Sequence, residues 1–149
     1  MKDFFKTLFE YNYTVNQQLA GAMLDNQGKI SEKAIKLFSH ILNAHHIWNH
    51  RIEKAAPVFS VWQIHSINEC QQIDSTNYES TLQILDQYSL DEIISLPRIG
   101  GVVLRKSIAD LFFHTVNHAS YHRGQIATEF RNNGLQPLVA DYFLFDKKS

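Results

Sequence analysis

Residues 108–133 read IADLFFHTVNHASYHRGQIATEFRNN, and no proline interrupts them. Ser107 stands immediately before the run with Asp110 three residues on, the pattern of a capping box, and Gly134 and Pro137 follow as stop signals. This is the best helix in the chain. The stretches on its N-terminal side read the same way. From Asp3 to Leu24 the apolar residues Phe4, Phe5, Leu8, Val15, Leu19 and Met23 recur at helical spacing. Asp25-Asn26-Gln27-Gly28-Lys29 is turn chemistry, and Ser31 is an N-cap for a helix to about Lys54, with Leu37, Ile41, Ala44, Trp48 and Ile52 inward and Pro57 closing it. A mixed loop, Val58 to Ser66, leads to a third, more polar helix over Asn68 to Tyr88. Ile93–Leu96 and Val102–Leu104 are short and β-branched around Pro97, Gly100 and Gly101, which suits a small hairpin. The expected fold is therefore all-α: an up-down four-helix bundle with a short hairpin-like connection before the last helix, one domain over 1–149.

Composition narrows the function. The chain has 149 residues with 44% hydrophobic and 19% charged, enough for one core, and a formal net charge of −1, which supplies no positive field for nucleic acid or anionic membrane. The apolar runs are far shorter than the roughly 20 residues a membrane helix needs. Cys70 is the lone cysteine, and the N-terminus Met1-Lys2-Asp3-Phe4 lacks signal-peptide features, so a cytoplasmic location is expected.

The unusual number is eight histidines. His114, His118 and His122 follow at i, i+4, i+8 on the last helix, drifting about 80° around its axis, so they share one face. Two imidazoles one turn apart can aim at a common point, as in metal sites built on helices, but a third donor from a facing helix is needed. Helix two offers His40, His45, His46 and His50. A histidine-rich chain produces i, i+4 pairs by chance, and His46/His50 is one; these two lie far around from the inward stripe and are expected to face solvent. His40 lies on the edge of that stripe and His45 is intermediate, so spacing favours His40 and leaves His45 open. His65, in a loop, is expected to be exposed.

Around the second pair the chain reads Asn117-His118-Ala119-Ser120-Tyr121-His122-Arg123-Gly124-Gln125. The string N-H-x-x-Y-H-R-G-Q resembles the closing-helix motif of the DinB/YfiT-like metalloprotein superfamily, the DNA-damage-inducible DinB family that is unrelated to the polymerase of that name. Leu8-Phe9-Glu10-Tyr11-Asn12, Phe38-Ser39-His40-Ile41-Leu42-Asn43-Ala44 followed by Trp48, and Pro137-Leu138-Val139-Ala140-Asp141-Tyr142 resemble its other segments, in the right order. The resemblance implies a four-helix bundle, usually a homodimer, whose three histidines hold a divalent metal. Carried over by position they are His40, His118 and His122, with His114 a packed neighbour. Zinc or nickel suits imidazole ligands.

Neutral imidazoles leave such an ion its full charge, so it acidifies a water or a thiol. The resemblance implies S-transferase or isomerase chemistry with a low-molecular-weight thiol cosubstrate, or hydrolysis, acting on a small molecule. It fixes the site better than the reaction. Arg123 would orient an anionic substrate or else form a helix-surface ion pair, and Gln125 would hydrogen-bond metal-bound water or a ligand imidazole. Tyr121 reads as core or dimer interface, Gly124 as a point of close helix approach, and Cys70 as a small buried residue. Phe4, Phe5, Phe9, Phe112, Phe113, Phe143 and Phe145 are many rings for one small core, which points to a dimer face. The competing reading is a non-catalytic metal-binding or stress-associated bundle, which a fourth protein ligand would favour.

Overall fold

A computed structural model describes residues 1–96 and 100–147. The helices are α1 (Lys2–Asp25), α2 (Glu32–Ile52), α3 (Ile67–Gln87) and α4 (Ile108–Asn132), with strands β1 (Ile93–Ser95) and β2 (Arg105–Ser107) between the last two. The starts of α2, α3 and α4 are set by serine caps: Ser31 Oγ accepts from the Ala34 N–H at 3.1 Å, and Ser107 Oγ from the Asp110 N–H at 3.0 Å. Ser66 and Glu69 make a second reciprocal box, so α3 begins just before the Asn68 read from the sequence. α2 ends at Ile52, and Lys54, in the left-handed region at φ 57°, turns the chain before Pro57 is reached.

The all-α four-helix bundle expected from the sequence is what forms, but the helices do not strictly alternate in direction. Ser39 meets Cys70, Leu42 meets Asn77 and His45 meets Thr81, so α2 and α3 run parallel. α1 pairs antiparallel with α3 through Tyr13–Ser75 and Gln17–Gln71. The sense is up-down-down-up. Alternation fails because the connection 53–66 travels back along α2 instead of turning at its end: the Val58 N–H donates to His46 Nε2, and the His65 N–H to Ser39 Oγ. This return strap corrects two exposure expectations. His46 is buried under Phe59, His65 is buried with Nε2 2.7 Å from Asn43 Oδ1, and His50 is half-buried.

The core divides into two apolar ends. One gathers Leu19, Met23, Phe38, Leu42, Ile126 and Phe130; the other gathers Phe5, Phe9, Ile52, Leu85, Ile108 and Phe112. Between them lies a buried polar layer of Asn12, Asn16, Asp74, Asn77, Thr81 and Arg123. Phe5, Phe9 and Phe112 thus belong to the core, and Phe145 lies against Tyr11, leaving Phe4, Phe113 and Phe143 exposed. The small hairpin forms, but its second strand is Arg105–Ser107, three residues beyond the β-branched run read from the sequence, in the register Ile93↔Ser107 to Ser95↔Arg105. Pro97, named for the turn, lies outside the described residues.

Candidate metal centre

α2 and α4 cross antiparallel, and their contact brings His40 to His118 and His122. One ring nitrogen from each stands within 4.8 Å of the others. His40 Nε2 and His118 Nε2 are 3.1 Å apart. The tautomers follow from the opposite nitrogens. His40 Nδ1–H donates to the Val61 carbonyl at 3.0 Å, and His122 Nδ1–H donates to Gln125 Oε1 at 2.7 Å. Each bond leaves an Nε2 lone pair free to ligate. Facing lone pairs at 3.1 Å repel unless a proton or cation joins them, and two ligands at 2.0–2.1 Å from a tetrahedral ion stand about 3.4 Å apart. The donor set and its spacing fit a divalent ion.

The surroundings favour the uncharged form of His40 and His118. Burial lowers the His40 pKa, while burial followed by the neighbouring His122, His40 and His114 pushes His118 down to about 4. Trp62, on the strap, lies flat on the His40 ring at 3.8 Å and 8°, and the Lys36 ammonium covers the indole at 5.3 Å. Asn43 Nδ2 donates to the carbonyls of Val61 and Gln63, tying the strap to α2. Sequence reasoning missed Trp62 and Val61. A tryptophan among the apolar residues Val58, Phe59, Val61 and Ile64 of a loop was the available signal.

The remaining histidines separate. His45 points away from the cluster to Thr81, with Nε2 2.8 Å from Oγ1, so the third position belongs to His40. His114 is exposed at 5.6 Å from the His118 ring and stands outside the cluster, so it is a neighbour at the rim rather than one packed in the bundle. Among the described residues no fourth histidine, cysteine or carboxylate joins the three.

Several neighbours are not where the sequence suggested. Arg123 forms no surface ion pair: it is buried, donates from one guanidinium nitrogen to Asn12 Oδ1 at 2.7 Å and Asn16 Oδ1 at 2.9 Å, and lies over the Tyr11 ring. The α1–α4 packing takes it inward. Tyr121 is 66% exposed, so it is no core residue, and its ring meets His122 edge-on at 5.1 Å. A Cβ on Gly124 would find nothing within 4 Å, so no close helix approach occurs there. Cys70 is buried as expected, and burial pushes its thiol up to about 11.

Two comparisons bear on the family. The chain is 27% identical over 168 residues to the "Protein DinB" of Bacillus subtilis (strain 168), a match covering 97% of this chain and 95% of that relative. The family model described as "DinB family" matches residues 1–149. With a bundle of this kind and the histidines of the closing-helix motif gathered at one point, the chain belongs to the DinB family.

Proposed function

We propose that the chain is a metal-dependent enzyme, a thiol S-transferase or a hydrolase, that holds one divalent ion, zinc or nickel, on His40, His118 and His122. The single observation that carries the reading is a cluster of three histidines within 4.8 Å with no fourth protein ligand among the described residues. A site closed by protein on three sides leaves room for a reacting molecule, whereas a structural site is closed on four. When bound, the ion would polarise a small thiol or water and lower the pH at which it serves as a nucleophile.

The protein's own residues do the rest. Val61 and Gln125 hold the His40 and His122 rings in the tautomers that present Nε2, so Gln125 is a positioning residue. Arg123, its donors engaged by Asn12 and Asn16, fixes α4 against α1 and places His122 beside it; this role replaces direct contact with an anionic substrate. Cys70 cannot serve as nucleophile, because its thiol is buried and its pKa lies near 11. The thiol must therefore come from a low-molecular-weight cosubstrate. One domain, 1–149, carries the activity as a cytoplasmic homodimer, with the exposed rings Phe4, Phe113 and Phe143 offering apolar area for the second copy.

The test is metal analysis of untagged protein, followed by turnover assays with small thiols and electrophiles. His118→Ala and His122→Ala should each lose most of the metal and all turnover. Full metal content in both variants would overturn the site.

A further inference from the structure

Along the contact of α2 with α4, a second pair of rings lies beyond the three histidines. His114 stands one turn before His118, and Trp48, two turns after His40, meets the His114 ring at 5.6 Å and 89°. Beyond this pair opens a cavity of about 440 Å³ walled by Trp48, Leu96, Leu104 and Leu111, with His114 on its border toward the ligands. Leu96 and Leu111 are buried members of the adjoining apolar cluster, so this wall is anchored to the core. Among the described residues the charged side chains lining it are Lys106 and Asp110, of opposite sign, and Asp110 Oδ2 already accepts the Ser107 N–H. The volume lies within the roughly 300–1,000 Å³ of small-molecule sites, and an apolar wall with few polar groups is their usual lining.

We infer that this cavity binds the apolar body of an uncharged, aromatic or branched low-molecular-weight substrate, whose reacting end extends past His114 to the three histidines. The inference rests on the reading of those histidines as a metal centre. The adjacency of cavity and cluster carries it: His114 lines the cavity, and its ring stands 5.6 Å from that of His118. Trp48 supplies a ring edge and Leu104 a half-buried side chain, so recognition is by apolar area and shape.

The chain has two tryptophans, and they sit on opposite sides of the site, which makes a direct test. Isotope-labelled, metal-free protein is titrated with 2-naphthol while the two indole N–H resonances are followed by NMR. The Trp48 resonance should shift saturably and that of Trp62, packed against His40, should hold. Leu104→Arg should weaken binding by about tenfold or more with the helical spectrum unchanged, and 2-naphthoate should bind more weakly than the alcohol. The inference is overturned by no saturable Trp48 shift, by a shift at Trp62 alone, by Leu104→Arg binding like wild type, or by a carboxylate preference of about tenfold. A Trp48 shift that follows protein concentration instead of naphthol would place a second copy in the cavity and overturn it as well. The wild-type titration decides even where the variant does not fold. Zinc added to a parallel sample reports the histidines separately, so failure of the metal centre is distinguishable from failure of the cavity.

Discussion

Acid should destabilise this protein through one buried imidazole. His45 is 3% exposed, and its Nδ1 has no hydrogen-bond partner. Thr81 Oγ1, which accepts from Asn49 Nδ2 at 3.0 Å, lies 2.8 Å from His45 Nε2. Nδ1 is shut in with the ring of Phe9 at 5.3 Å. Adding a proton would create a buried cation with nothing to accept from it, and burial, helped by His46, pushes the pKa from 6.5 down to about 3. The folded pKa is depressed, so below pH 6.5 the unfolded chain binds the proton and the native one does not, and stability falls as pH drops toward 3. At pH 5 the unfolded histidine is almost fully protonated and the native one neutral, which costs about 2 kcal/mol relative to pH 7.5. Urea unfolding of metal-free protein at both pH values, for wild type and His45→Leu, isolates this contribution, because the other titrating groups cancel in the difference. The pH-dependent loss should be smaller in His45→Leu by about 2 kcal/mol, whatever its stability at pH 7.5. An equal loss in both proteins would refute the reasoning.

Other outcomes follow from the same structure. Gln125→Leu should weaken zinc binding by about 10–100-fold in a chelator competition, since His122 loses the acceptor that sets its tautomer; unchanged affinity would remove Gln125 from the site. Phe112→Ala should cost about 3–5 kcal/mol in urea unfolding, because the ring is fully buried and packs on both Phe5 and Phe9. Light scattering should give a dimer mass at micromolar concentration, and Phe113→Asp should shift it toward monomer; a wild-type monomer would contradict the dimer.

The elements themselves were legible along the chain because a helix is local. Period and caps placed α4 from Ser107 to its glycine stop, and i, i+4 geometry alone put His118 and His122 on one face, where they are found. Gln125 was legible for the same reason, since it lies one turn from the histidine it holds. Cys70 read as buried from its residue type and the lack of a cationic neighbour in sequence.

What the chain left open concerns relations between elements. His40 and His45 lie about 140° apart on one helix, so the choice between them depends on how α2 is rotated against α4, and only the packed interface sets that rotation. The direction of α3 was equally undetermined, because a connection as long as 53–66 can either turn at the end of α2 or run back along it. It runs back, and that one choice buries His46 and His65, stacks Trp62 on His40 and supplies the Val61 carbonyl. Arg123 reads as a surface residue until α1 brings Asn12 and Asn16 to meet it. Spacing along one helix determines which side chains share a face; which face meets which, and what a returning loop covers, is decided by burial of apolar surface across the whole bundle.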